Sequence, residues 1–288
     1  MSNPLQFAFS FADYLVSRKL KHIIVHVTNH CNFRCRHCFV DFGRQRDLPL
    51  NIYHRLAAST GKLFWLDIGG GEPFLRKDLT QIIERFDARV IHIPSNGSLP
   101  DLMIDQLRDL QQRHKGEIII GLSLDGLRDT HDEIRGQAGN YDQVWSTYDR
   151  LRDLGGLSIK ITTVLNTRNY DEILPLMREV KSHGADFHSV ILMRGEPLDP
   201  AMTLPDLTEL HRIGPEIFRE LEAYDYGRST LSAHLLRNFH RLLWNVSLDT
   251  IEHQTQVIPC LAGQTHAVIG GDGGVSSCEM LPSVGNLQ

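Results

Sequence analysis

The chain has 288 residues, 41% of them hydrophobic and 23% charged, a composition that suits one large globular domain with room for a small appendage. Thirty basic and 35 acidic residues leave a net charge of -5 without a long basic block, which argues against a nucleic-acid surface. No run approaches membrane-spanning length and the Met1-Ser2-Asn3-Pro4 start has no signal-peptide pattern, while an odd count of five cysteines suits a reducing, cytoplasmic setting better than a disulfide framework.

After a lead-in over 1–21, short β-branched runs alternate with longer amphipathic ones. Strands are predicted over 23–27, 63–68, 90–93, 118–124, 158–164 and 187–193, and helices over 52–59, 79–86, 102–114, 141–154 and 171–182. That alternation means βα units on a parallel sheet, so the expected fold class is α/β, a partial (β/α)6 TIM-like barrel over 22–193. A Pro/Gly-punctuated stretch opens a linker and helical segment over 194–256, with helices over 205–224 and 230–245. The second helix carries an apolar stripe, Leu231, Leu235, Leu236, Phe239, Leu242 and Leu243, expected to pack on the barrel. The remaining 257–288 reads as a small α/β-hairpin appendage, with a hairpin over 268–275 bracketed by Cys260 and Cys278.

Ligands of parallel α/β folds collect at the C-terminal strand ends. Here the first strand runs into Cys31, Cys35 and Cys38, the second into Gly69-Gly70-Gly71-Glu72-Pro73, the third into Ser95-Asn96-Gly97 and the fourth into Ser123-Leu124-Asp125-Gly126. Three thiols spaced x3 and x2 can converge on one metal centre, whereas disulfide pairing would strand one of them. An iron–sulfur cluster with one open iron, a zinc site completed by His37 or His30, and unligated buried cysteines all remain open on spacing alone.

The Cys31-x3-Cys35-x2-Cys38 spacing, led in by Thr28-Asn29-His30, resembles the signature of the radical S-adenosylmethionine (SAM) enzymes. Gly70-Gly71-Glu72-Pro73, Ser95-Asn96-Gly97, and Ser123 to Gly126 followed by His131-Asp132 and Arg135-Gly136 are similar to that family's further motifs, in its order. Cys260, Cys278 and Gly285-Asn286-Leu287 resemble the beginning of a SPASM or twitch domain. The resemblance implies a [4Fe-4S] cluster on Cys31, Cys35 and Cys38, and SAM framed by His37, Gly70, Gly71, Glu72, Asn96, Ser123, Asp125 and Arg135. It also implies an electron donor such as flavodoxin or ferredoxin, and a peptide or small-molecule substrate. His37 departs from the usual aromatic residue at its position, and no cysteine follows Cys278.

Each motif also has a physical rationale and a plainer alternative. Glycines at 69–71 allow a close approach of backbone and Glu72 offers charge to an ammonium group, although a glycine-rich turn would read the same way. Asn96-Gly97 alone is a turn, and Arg135 alone a surface charge. Ser123 and Asp125 share strand parity with Gly121 and are expected to face the barrel mouth. Arg34, Arg36, Arg44 and Arg46 either offset a thiolate-ligated cluster, greet an acidic electron donor, or form a solvated face. Strand histidines His26, His92 and His188 are expected to be satisfied core groups, the alternative being that one contacts substrate or relays a proton. Cys260 and Cys278 are too few for a four-cysteine auxiliary cluster, so three readings stand: a shortened chain, a cluster completed by other ligands, or Cys278 as a hydrogen donor. The rival to an enzyme is a non-catalytic iron–sulfur or zinc barrel acting as sensor or scaffold.

Overall fold

The structure, a computed structural model, describes residues 20–40, 47–224 and 230–288. Its frame is six strands: β1 (His22–Thr28), β2 (Leu63–Gly70), β3 (Ala88–Ser95), β4 (Glu117–Ser123), β5 (Ser158–Leu165) and β6 (His188–Leu192). They pair in sequence order and every pair is parallel, as the βα alternation predicts. The crossovers hold α1 (Leu50–Thr60), α2 (Leu79–Ile83), α3 (Pro100–Arg113), α4 (Arg128–Arg135), α5 (Asn140–Leu154) and α6 (Ile173–Ser182).

Strand alternation divides the sheet into two chemically different faces. Ile23, Val25, Leu66, Ile68, Ile91 and Ile120 lie fully buried in one hydrophobic core with Leu107, Tyr148, Leu151 and Leu176 of the surrounding helices. α2 stops three residues short of the predicted 79–86 because its last turn tightens, with Arg85 N donating to Ile82 O and Phe86 N to Ile83 O. α4 was not predicted as a helix at all. Its eight residues are mostly charged, and only His131, Ile134 and Arg135 are buried, so the apolar period is too thin to read; Gly136, at φ 65°, ends it in the left-handed region.

Past β6, α7 (Leu207–Glu222) starts at Asp206, whose carboxylate accepts from Glu209 N, and α8 (Thr230–His253) follows. The predicted hairpin exists as β7 (His266–Ile269) and β8 (Gly274–Ser276), but it does not stand apart from the barrel. β7 pairs parallel with β1, His22 opposite His266, and β8 and β9 (Gly285–Asn286) extend a single nine-stranded sheet beyond that edge. Glu279 reaches His26 on β1 at 3.3 Å and Arg194 beyond β6 at 2.6 Å, so one side chain spans the two edges of the six-strand wall.

The apolar stripe of α8 does not pack on the barrel. Leu231, Phe239 and Leu242 are 65%, 57% and 62% exposed, and Leu235 and Leu243 are exposed too, while Leu236 is partly buried against the core and Ala233, Trp244 and Leu248 are buried. The reason is a socket on the neighbouring helix: a Cβ at Gly214 of α7 would stand 2.7 Å from Trp244 Nε1. Seating that indole rotates α8 so that the leucine stripe faces away. Among the described residues no helix is long and apolar enough to cross a membrane.

Candidate active site

The three clustered cysteines follow β1, and each sulfur receives an N–H. Phe33 N donates to Cys31 Sγ at 3.4 Å, Arg135 Nη1 to Cys35 Sγ at 3.6 Å, and the Val40 backbone to Cys38. Burial pushes the Cys31 thiol up to about 11 and raises Cys38 as well, so both are protonated at neutral pH unless a metal replaces the proton. Among the described residues no group of three or more His, Cys, Asp or Glu is placed to hold a single metal ion. Three free thiols on one loop, each with an N–H directed at sulfur, fit a thiolate-held cluster, whose properties such hydrogen bonds tune.

The glycine loop after β2 has a different reason for its glycines than approach to a ligand. A Cβ on Gly70, at φ 113°, would stand 2.1 Å from Thr28 O, and one on Gly71 would stand 2.1 Å from His30 O. The backbone that comes close is the chain's own, where the glycine loop crosses the entry to the cysteine loop. Gly71 N donates to Thr28 O and Glu72 N to His30 O, fixing that crossing.

Glu72 is 1% exposed, and its carboxylate accepts from Phe74 N, Ser95 Oγ and Asn96 N. Burial pushes it up to about 7 despite those donors. Its first task is therefore to pin the Ser95-Asn96-Gly97 loop to the glycine loop. Asn96 Nδ2 in turn donates to Asn32 Oδ1 of the cysteine loop at 2.9 Å, and Asn32 Nδ2 donates to Ser98 Oγ.

Asp125 is not at an open barrel mouth. It is fully buried, accepts from Val164 N at 2.8 Å, and pairs with Arg135 Nη2 at 2.5 Å, with His37 Nε2 3.7 Å away. One residue past Leu124, strand alternation no longer holds, and β4 itself ends at Ser123, which stays partly exposed. Burial holds His37 down at about 4, hence neutral. His131 Nδ1 accepts from Asp125 N at 2.9 Å while its Nε2 pairs with Asn140 Oδ1, and Asn140 Nδ2 donates to Asn96 O. That route ties the loops after β3 and β4 to the start of α5. Asn140 carried no sequence signal beyond opening a helix.

The other predicted residues fall in varied places. Cys260 is exposed, its sulfur accepting from Ala262 N at 3.5 Å, and Cys278 is half-buried beside Glu279. Arg34 donates to Cys31 O and Phe33 O, and Arg36 pairs with Asp199 and Glu133, while Arg44 and Arg46 lie outside the described residues. His188 is a core histidine bonded to Thr163 Oγ1 at 2.8 Å, as expected. His26 and His92 instead take carboxylate partners, Glu279 and Asp67. Asp67, Lys160 and Glu279 were not anticipated, although a lone charge inside each of the apolar runs 63–68 and 159–161 is a signal that was there to find.

Comparison with known proteins fits this geometry. A sequence profile described as "Radical SAM superfamily" matches residues 25–180, more than half of the chain. The chain belongs to the radical SAM superfamily. Among its radical SAM relatives, the antilisterial bacteriocin subtilosin biosynthesis protein AlbA of Bacillus subtilis is 25% identical over 92% of this chain and 57% of its own length. GTP 3′,8-cyclase of Marinobacter nauticus is 29% identical over 56% of this chain and 50% of its own. Among solved structures, Streptococcus suis SuiB bound to precursor peptide SuiA superposes with a TM-score of 0.66 at 20% identity, covering 96% of this chain and 65% of that one. The fold is thus the radical SAM partial barrel, and the chain spans only half to two thirds of the length of these proteins.

Proposed function

We propose that the protein is a radical SAM enzyme of the SPASM/twitch branch acting on a peptide or protein. The observation that carries the enzyme reading is the convergence of Cys31, Cys35 and Cys38 with the Gly70–Glu72, Ser95–Asn96 and Ser123 loops at one end of a parallel barrel, clipped together by Glu72, Asn32, His131 and Asn140. A [4Fe-4S] cluster on the three thiolates would supply the electron that cleaves SAM to methionine and a 5′-deoxyadenosyl radical, which takes hydrogen from substrate.

The chain's own residues hold and orient. Arg135 neutralises charge at Cys35, neutral His37 closes over Asp125, Gly70 and Gly71 seat the glycine loop against the cysteine loop, and the partly exposed Ser123 is left available to the cofactor. The 22–193 barrel carries this chemistry, after the 1–21 lead-in. The 194–256 helices and the 257–288 segment complete the wall, with Cys278 near its rim as an iron ligand or hydrogen donor, and flavodoxin or ferredoxin in a reducing cytoplasm is the expected electron source.

The peptide assignment rests on coverage. AlbA, named for bacteriocin biosynthesis, and SuiB, captured with a precursor peptide, match along nearly the whole chain, whereas the GTP cyclase matches over 56% of it. A small-molecule epimerisation or dehydrogenation is the alternative outcome. Anaerobic reconstitution followed by a dithionite-driven assay tests the enzyme reading: a brown protein yielding 5′-deoxyadenosine supports it, and a brown protein that never does would make this a sensor or scaffold. Cys278→Ala separates the roles of that thiol, since unchanged turnover with altered iron content rules out hydrogen donation.

A further inference from the structure

The cysteine segment leaves the sheet at Val27 and re-enters the core at Leu48, just before α1, and one side chain holds both of its ends. The β1–β2 register shifts between His26 and Thr28, so the strand is re-aimed at Val27. The Val27 carbonyl accepts from Arg76 Nη1 at 2.7 Å and from Tyr53 Oη at 3.4 Å, and the Leu48 carbonyl accepts from Arg76 Nη2 at 2.6 Å. Cys31, Cys35 and Cys38 all lie in the chain between those two carbonyls.

Arg76 follows directly on the glycine loop and closes the short 3-10 turn Pro73–Leu75, its backbone N–H donating to Pro73 O. It is 6% exposed, and a cation withdrawn from water needs a counter-charge. Asp78 supplies it along one edge of the guanidinium, Oδ1 accepting from Nε at 2.6 Å and Oδ2 from Nη2 at 3.1 Å, with Asp47 Oδ2 3.7 Å from Nη1. The hydrogen bond from Arg76 holds the Asp78 carboxyl below its usual range, so the pair is ionised at neutral pH. The Tyr53 ring lies against the guanidinium, its centroid 5.4 Å from Cζ. With the charge balanced by Asp78, the remaining hydrogens reach the two neutral carbonyls. A planar fork serves these three partners at once, which a single ammonium head does not.

Closing a long segment costs conformational entropy, and ligands of one cluster must be held to a fraction of an ångström by the groups around them. We propose that Arg76 is a positioning residue: by joining Val27 to Leu48 it closes the base of the cysteine segment and keeps Cys35 buried, in place with Cys31 and Cys38 for a cluster. The glycine loop and its continuation thus fix the segment twice, at Thr28 and His30 through the N–H groups of Gly71 and Glu72, and at both ends through Arg76. The inference rests on reading this segment as the cluster-bearing loop of a radical SAM enzyme.

The test treats the metal-free full chain, kept reduced, with a pulse of iodoacetamide and follows alkylation of each cysteine by peptide mass spectrometry. Cys35, 7% exposed, should react at least about tenfold faster in Arg76→Lys and Arg76→Met than in wild type. Half-buried Cys278 lies outside the clamp and should keep its wild-type rate in the same molecules. Trp244→Ala loosens α8 instead, and its Cys35 should react as in wild type. After anaerobic reconstitution, the Arg76 variants should also lose iron to a chelator faster than wild type and Trp244→Ala do. Equal Cys35 rates in wild type and the Arg76 variants, or an equal rise in Trp244→Ala, overturn the positioning role. If neither Arg76 variant folds, Asp78→Asn, which weakens the ion pair that orients the fork, decides on the same rates. Formation of 5′-deoxyadenosine by reconstituted wild type is scored separately. SAM cleavage with Cys35 equally protected in every variant sinks the positioning role alone, and a loosened Cys35 without SAM cleavage by wild type sinks the enzyme reading alone.

Discussion

Arg135 joins Cys35 to Asp125: its guanidinium donates to the Cys35 sulfur at 3.6 Å and pairs with the Asp125 carboxylate at 2.5 Å, both groups buried beneath the cysteine loop. The chain separates Arg135 from Cys35 by 100 residues, so this contact exists only in the folded protein. Removing Arg135 strands the Asp125 charge. Arg135→Met should destabilise by about 3–5 kcal/mol, and the double variant Arg135→Met/Asp125→Asn should recover at least half of that. Chemical unfolding of the three proteins checks it. A double variant no more stable than the single one would mean the ion pair is not the reason.

Glu72 links stability to pH. Its folded-state value of about 7 lies above the ordinary 4.5, so the folded protein binds the extra proton between those values. The contribution is fully present below pH 4.5 and is lost as pH rises through about 7. Melting temperature measured at pH 5 and pH 8 should therefore drop in wild type by more than in Glu72→Gln, whose side chain does not titrate. Equal drops in the two proteins would remove Glu72 as the cause.

The glycine loop should tolerate no side chain. Gly70→Ala and Gly71→Ala each place a methyl 2.1 Å from a backbone oxygen, which no side-chain movement relieves, and a loss of at least ~3 kcal/mol is expected. Gly61→Ala is the control, with φ 66° but nothing within 4 Å of the added carbon; its cost should stay near 1–2 kcal/mol. Parallel urea titrations rank the three.

The two faces of α8 should behave oppositely. Leu231→Gln, Leu235→Gln and Leu242→Gln remove exposed apolar groups and should change stability by less than ~0.5 kcal/mol each. Trp244→Ala empties the socket at Gly214 and should cost about 3–5 kcal/mol. The reverse ranking in thermal denaturation would put the leucine stripe in the core.

The sequence by itself determined the parallel βα frame, because strand and helix periods are local, and it determined the cysteine, glycine, Ser95-Asn96 and Ser123 loops as one set, because those elements fall at successive strand ends. It also carried the family, since spacing along a loop is a chain property. What only the tertiary structure decided are relationships between segments far apart in the chain. Glycines 70 and 71 make room for Thr28 O and His30 O rather than for a ligand, and Glu72 clips two loops. The hairpin extends the barrel sheet at β1, and the leucine stripe of α8 turns outward because Gly214 offers a socket to Trp244. Asp67 and Lys160 are single charges inside apolar strands; pairing between strands brings Asp67 between two histidines, with Lys160 close enough to sense its charge. Burial and charge pairing are set by neighbours in space, and adjacency along the chain does not encode them.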